Sequence, residues 1–405
     1  MFIPEYLDMS KIIKSERIYK LFDAVENHGG TIRFVGGAVR DTLAGLSGFD
    51  LDLATDLTPD ELIEACQDAY LKTVPIGLKF DSIGVVIDNQ ILKISSLRRK
   101  DGAKNQIGQG FTDDWSADAS RRDLTINAVY ADLHGNVFDY YDGIQDLKNG
   151  IVRFIGDPTE RIKEDHLRIM RFFRFHAKFS KTPINAPALK ACIKFKNDLR
   201  NISIERVRDE LFKLLAAPRA AETMKIIYDH DILGYFLPAS DHLDALERLS
   251  QIVADAQYEG NFLRRLFVLY QPTAAQAENI ANVLRFTKKQ KDQFLQWAKI
   301  TLSTEHMASS HARLKFIYRY GKQFLIDKIL LTVAIENIEA PHLNEVLSEI
   351  EGSIVPIFPV IGRDLIGFIA QSHIKQALSV LEQQWMDSNF TLTRQELLDA
   401  AKNIK

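Results

Sequence analysis

The chain has 405 residues, of which 46% are hydrophobic and 26% charged, with a net charge of −3 and only two cysteines. That length calls for roughly two to four domains, and the balance is that of an ordinary globular protein. No apolar run approaches the roughly 18 residues of a membrane helix, Cys66 and Cys192 cannot form a disulfide framework, and the small negative charge excludes a protein that coats nucleic acid while leaving room for a local basic face.

The N-terminus lacks the basic-then-apolar order of a secretion signal, which together with the cysteine usage points to the reducing cytoplasm. Apolar Ile12, Ile13, Ile18, Leu21, Phe22 and Val25 predict a helix over 10–28. An apolar strand over 32–35 then runs into Gly36 and Gly37, a helix over 38–44 and a second strand over 49–54. Asp50 and Asp52 alternate on that second strand with Leu51 and Leu53, so the leucines enter the core and the two acids share the other face. Like charges that close repel unless a cation lies between them. A hard ion that binds one or two carboxylates plus substrate phosphate, such as Mg²⁺, fits. The glycines allow backbone to approach a phosphate closely, and Arg40 lies one turn further on. An ordinary glycine turn before a solvated edge strand is the plainer alternative. The acid pair together with Arg40 favours a metal–nucleoside triphosphate site.

Thr58, Pro59 and Glu61 open a helix ending near Asp68, and strands over 82–87 and 90–96 are joined by Asp88-Asn89. Strands alternating with helices predict a mixed sheet. Residues 98–117 read as a polar loop. Adjacent Arg121 and Arg122, followed by Asp123 and Asn127, suit a triphosphate and a ribose, although an exposed ion-pair cluster has the same composition. A hairpin turns at 134–136, and Asp142-Gly143 and Asn149-Gly150 bracket a short helix that closes a first domain at about residue 150.

From 158 onward the pattern is helical. Within a predicted long helix, Arg168, Arg171 and Arg174 recur every three residues and Asp165 precedes Arg168 by three, placing them on one face opposite Met170 and Phe173. A carboxylate accepts from an exocyclic amine and a guanidinium beside it donates to an unprotonated ring nitrogen, a pattern that cytosine and adenine share and uracil and guanine lack. A simple surface ion pair is the alternative. Lys178, Lys181, Lys190, Lys194, Lys196 and Arg200 form a basic stretch suited to an RNA backbone or to plain solvation. Helices are predicted over 204–215, 222–228, 241–258, 274–284, 289–302, 311–318, 322–336, 341–350, 365–371 and 373–388, with a last one after Thr393.

Together, Gly36-Gly37-Ala38-Val39-Arg40-Asp41 with Asp50-Leu51-Asp52 resemble the signature of polymerase-β-type nucleotidyltransferases. Arg121 to Ala128, Asp142-Gly143, Asp146, Gly150 and Arg153, then Glu164-Asp165-His166-Leu167-Arg168 with Arg171 and Arg174, narrow the resemblance to the class II CCA-adding enzymes and their bacterial poly(A) polymerase relatives. The resemblance implies an α+β chain: a catalytic head with a mixed sheet over 1–150, an all-helical neck over 151–240 carrying the base reader, and an all-helical body and tail over 241–405. It implies that Asp50 and Asp52 are catalytic and hold Mg²⁺. Gly36, Gly37, Arg40 and Arg122 would bind the triphosphate, Asp123 and Asn127 the ribose, and Asp165 and Arg168 the base, supported by Arg171 and Arg174. The implied partners are tRNA, ATP and CTP, with no membrane and no DNA. The implied activity is untemplated addition of C, C and A to tRNA. Addition of A alone, or poly(A) synthesis, is the runner-up, and an RNA-binding protein with an inactive head is the rival from another class. Lys93 occupies the place where related sequences usually carry an acid, so no third carboxylate is assigned.

Overall fold

The computed structural model describes residues 6–13, 15–46, 51–76, 82–98, 104–105, 108–258, 260–367 and 369–404. Asp50 and the segment 77–81 therefore lie outside the described residues. Two compact units emerge, Met1–Ala239 and Ser240–Lys405.

The first unit opens with α1 (Glu16–Asn27), β1 (Ile32–Val35), α2 (Gly37–Leu43), β2 (Asp52–Thr55) and α3 (Pro59–Asp68). It continues through β3 (Thr73–Pro75), β4 (Ser82–Ile87), β5 (Gln90–Ser96), the small hairpin β6 (Lys104–Asn105) and β7 (Gly108–Gln109), and α4 (Trp115–Ala119). The hairpin β8 (Val129–Ala131) and β9 (Val137–Asp139) and then α5 (Gly143–Asn149) complete the sheet region. Seven strands form one sheet in the order β3-β4-β5-β2-β1-β8-β9. β2 and β5 run parallel while β1 is antiparallel to β2 and β8, so the sheet is mixed. Alternation along β1 and β2 sends Phe34 and Leu53 to a core with Leu21, Phe22 and Leu62, and Val35 and Ala54 to a second core with Trp115 and Tyr130. Asp52 shares the face of Ala54, as period 2 requires, and pairs in register with Lys93.

Several boundaries differ from the pattern reading. α1 begins at Glu16 rather than residue 10, because the Ser15 hydroxyl accepts from the Arg17 N–H at 3.2 Å and starts the helix there. Within 98–117, Asp114 caps α4 by accepting from the Ser116 and Ala117 N–H groups. The larger correction concerns 158–179. Two helices stand there, α6 (Pro158–Glu164) and α7 (Arg168–Phe179), not one. Asp165 lies between them in extended backbone, φ −154° and ψ 109°. Its Oδ1 accepts from the Leu167 N–H at 3.0 Å, the local bond with which aspartate competes against helix continuation. Asp165 and Arg168 thus share no helix face. α8 (Ala186–Phe195), α9 (Ile204–Leu215) and α10 (Ala220–Asp229) complete the unit, and α9 packs on α7.

The second unit is helical: α11 (Leu243–Asp255), α12 (Phe262–Tyr270), α13 (Ala274–Val283), α14 (Lys288–Lys299), α15 (Thr304–Ala308), α16 (Ser310–Tyr320), α17 (Lys322–Glu336), α18 (Leu343–Gly352), α19 (Ile374–Asp387) and α20 (Arg394–Ala401). The expected helix over 365–371 is instead two short turns, Gly362–Leu365 and Gln371–His373, because Ile366 is extended and Gly367 takes φ +96°. No helix of the described residues is long and apolar enough to cross a membrane.

Candidate functional site

β1 ends in a turn that only glycine enters easily: Gly36 has φ +65°. Its carbonyl accepts from the Arg40 N–H at 2.9 Å, which starts α2. This turn, the start of β2, the 121–127 segment and the inner faces of α7 and α9 enclose a cavity of about 870 Å³. Gly36, Gly37, Arg40, Asp52, Arg122, Asp123, Asn127, Asp165, Arg168, Arg171 and Arg174 all line it. Every described residue assigned from sequence to the metal or the nucleotide therefore reaches one cavity; Asp50 lies outside the described residues, and of the basic stretch only Lys178 lines the cavity.

The polar groups form a continuous relay. Lys178 Nζ donates to Asp41 Oδ2 at 2.9 Å, and Arg40 Nε donates to Asp41 Oδ1 at 2.7 Å. Arg40 Nη1 donates to Asn127 Oδ1, and Asn127 Nδ2 donates to Asp123 Oδ1 at 2.9 Å. Asp123 Oδ2 accepts from Arg171 Nε at 2.6 Å, while Glu210 pairs with Arg174 at 3.1 Å and more distantly with Arg171 at 3.9 Å. The Arg40 guanidinium also lies over the Phe175 and Phe179 rings, at 4.7 and 4.9 Å. It is buried, and its Nε and Nη1 are turned to Asp41 and Asn127.

Burial alone would raise the Asp123 carboxyl, but the Arg171 guanidinium and the Asn127 and Leu124 N–H groups outweigh it and hold the acid well below the usual carboxylate range. Arg174 goes the other way. Burial, with Arg171 and Arg40 adding to it, draws Arg174 down to about 10 despite Glu210.

Arg122 is aimed by donating from Nε to the Tyr130 hydroxyl at 2.9 Å and from Nη2 to Asp118 at 3.2 Å. The turn bearing Asp123 and Asn127 is fixed from behind. Thr125 Oγ1 and Arg153 Nε both donate to Asp146 Oδ2, at 2.5 and 2.7 Å, and a Cβ on Gly143 would stand 2.2 Å from the Thr125 carbonyl oxygen. At the break before α7, Asp165 Oδ2 accepts from Arg206 Nη2 at 3.0 Å. Arg168 reaches the Arg121 and Arg161 carbonyls at 3.1 and 2.9 Å and Glu164 at 2.6 Å. His166, on the other side, faces Asp198 at 3.7 Å.

Sequence reading passed over Asp41, Asp118, Tyr130, Arg206, Glu210 and Lys213. These residues aim or surround the ones it named, and they sit at ordinary helix and strand positions. Only the i, i+4, i+7 spacing of Arg206, Glu210 and Lys213 on one side of a helix was there to be noticed.

Asp52 is half-buried on the cavity wall. No cluster of three metal-ligating side chains occurs among the described residues. The donors available are hard carboxylate oxygens, with room beside them for substrate phosphate, which fits a divalent cation that keeps part of its water shell.

Residues 32–153 match the poly A polymerase head domain and residues 184–243 the probable RNA and SrmB-binding site of polymerase A. The mitochondrial CCA tRNA nucleotidyltransferase 1 of Homo sapiens is 31% identical over 93% of this chain and 87% of its own length. The CCA-adding enzyme of Staphylococcus haemolyticus is 29% identical over 78% and 76%. In fold, the chain is similar to the Bacillus stearothermophilus CCA-adding enzyme solved in complex with CTP, with a TM-score of 0.72, 22% identity and 95% of each chain covered. The Thermotoga maritima CCA-adding enzyme complexed with tRNA gives 0.62, 18% and 99% of each. With a curated relative matched at this level along nearly all of its length, the chain belongs to the CCA tRNA nucleotidyltransferase family.

Proposed function

We propose that this protein adds C, C and A to the 3′ end of tRNA from CTP and ATP, releasing pyrophosphate. One observation carries the reading. A single cavity gathers the acid of β2, the glycine turn, the Asp123–Asn127 turn and the Asp165–Arg168 break, which are the parts needed to hold a triphosphate, a ribose and a base at once. In each step the RNA 3′-oxygen attacks the α-phosphorus, its proton leaves, and the bond to the pyrophosphate oxygen breaks.

Asp50 and Asp52 would hold Mg²⁺, which when bound supplies charge neutralisation at the phosphates and at the attacking oxygen. Gly36 and Gly37 let the triphosphate come close to backbone, with Arg122 directed at it by Tyr130 and Asp118. Asp123 and Asn127, locked together, present a fixed edge to the ribose, and Arg40 holds Asn127 in that position. Asp165 has a lone pair on each oxygen beyond those used by Leu167 and Arg206, enough to accept from the exocyclic amine of cytosine or adenine. Arg168 supplies the donor for the ring nitrogen, with Arg171 and Arg174 setting the charge of that wall. The neck and the second unit would serve tRNA. Both thiols, Cys66 and Cys192, are buried and free, which suits a reducing compartment such as the cytoplasm.

The test is an incubation with Mg²⁺ and a tRNA transcript ending at the discriminator base, with products resolved at single-nucleotide length. Two additions with CTP alone and a third only when ATP is present is the expected result. A long ladder with ATP alone, or one A added only to a transcript already ending in CC, overturns it in favour of poly(A) synthesis or A-addition.

A further inference from the structure

α9 carries three polar side chains, Arg206, Glu210 and Lys213, at a spacing that puts them on one side of the helix; Arg206 and Lys213 line the cavity, while Glu210 is buried. The first two are engaged, Arg206 with Asp165 at 3.0 Å and Glu210 with Arg174 at 3.1 Å. Lys213 is different. It is exposed, and no carboxylate among the described residues pairs with it. Two other cations of the cavity wall are already matched, Lys178 by Asp41 at 2.9 Å and Arg171 by Asp123 at 2.6 Å. Seven residues of helix place Lys213 about 10 Å along the axis from Arg206. The lining beyond it is Ala216, Ala217 and Pro218, which carry short, uncharged side chains.

The contacts assigned to the incoming triphosphate, Gly36, Gly37 and Arg122, all come from the sheet region. Lys213 comes from α9, the helix packed against α7, within the span that matches an RNA-binding family model. We propose that Lys213 is a phosphate contact for the single-stranded 3′ end of the acceptor RNA, acting on the primer and not on the nucleotide. This rests on reading the protein as an enzyme that extends RNA 3′ ends. A lysine suits the task, because a mobile point charge follows a backbone phosphate whatever the base.

The test compares wild type, Lys213→Ala and Lys213→Arg by equilibrium binding of the full-length protein to two tRNA transcripts across a salt series. One transcript ends at the discriminator base and the other is cut back to the blunt acceptor stem. Lys213→Ala is expected to weaken binding of the longer transcript about fivefold, as loss of one solvent-exposed contact of ordinary hydrogen-bond strength implies, and to flatten its log–log salt slope by about 0.7, the value for one single-strand phosphate. Binding of the blunt transcript stays unchanged, Lys213→Arg restores the slope, and the KM values for CTP and ATP stay within about twofold, a factor worth about 0.4 kcal/mol. Equal weakening on both transcripts, an unchanged slope, or a raised KM for CTP with unchanged RNA binding overturns the assignment. Absence of nucleotide addition by the wild type refutes the functional reading by itself, while the binding comparison still decides whether Lys213 meets the RNA end.

Discussion

Asp123 is the residue whose removal says most about how the cavity is built. Its carboxylate is buried and accepts three hydrogen bonds, from Arg171 Nε at 2.6 Å, Asn127 Nδ2 at 2.9 Å and the Leu124 N–H at 2.9 Å. Replacement by leucine leaves the Arg171 guanidinium with Glu210, at 3.9 Å, and the more distant charge of Asp165, and strands the Asn127 and Leu124 donors. Breaking a buried charge pair from one side costs about 3–5 kcal/mol. For a unit of 239 residues, each kcal/mol shifts Tm by about 2–4 °C, so the expected drop is roughly 6–20 °C by calorimetry. Adding Arg171→Met to Asp123→Leu removes the stranded cation, and at least half of the lost stability returns while nucleotide binding does not. Because the folded acid lies below its unfolded value, its contribution is full above about pH 4 and is lost only as the pH falls through the lower folded value. A single variant within about 1 kcal/mol of wild type, or a double variant no more stable than the single, refutes the reasoning.

Asp165→Ala removes the acceptor for the exocyclic amine. At about 1–3 kcal/mol per base contact, discrimination against UTP and GTP falls roughly 5- to 150-fold in single-turnover misincorporation, with tRNA binding nearly intact; unchanged discrimination rejects the base-reading role. His176 is buried against Phe172, and burial, reinforced by Arg219 and opposed by Glu222, lowers its pKa from 6.5 to about 4. The unfolded chain therefore binds that proton first, so stability is full above about pH 6.5 and declines by about 3 kcal/mol as the pH falls to 4. His176→Leu should flatten that part of the Tm–pH curve, and an unaltered curve contradicts it. Gly143→Ala pushes a methyl into the Thr125 carbonyl, which should cost about 1–3 kcal/mol and raise the KM for nucleotide by displacing Asp123 and Asn127. An alanine variant with wild-type Tm and KM refutes that support.

The head was legible because its signals are local. The capping box of Thr58 and Glu61, the turn between β4 and β5, and the glycine brackets of α5 each write their structure within a few residues. Short elements were missed. α12 spans nine residues and buries Arg264 and Arg265 along with its apolar side chains, and β3 is a three-residue strand ending in Pro75. Asp165 was placed in the right cavity for the wrong geometric reason. Spacing alone cannot separate one helix from two when an aspartate bonds its own following backbone. The aiming partners stayed invisible because Asp41, Asp118, Tyr130 and Glu210 meet their arginines through the tertiary fold or through common local spacings.

The relay from Lys178 through Asp41, Arg40, Asn127, Asp123, Arg171 and Glu210 to Arg174 also constrains how this cavity can change over generations. Each member between the two ends answers to two neighbours, so a substitution that would be harmless beside a different partner is deleterious beside the present one. Single replacements are blocked in both directions, and a path between two workable versions passes through coordinated exchanges. Descendants of this chain should therefore carry these positions as a block, and grafting one member from a distant relative should fail where transplanting the whole set succeeds.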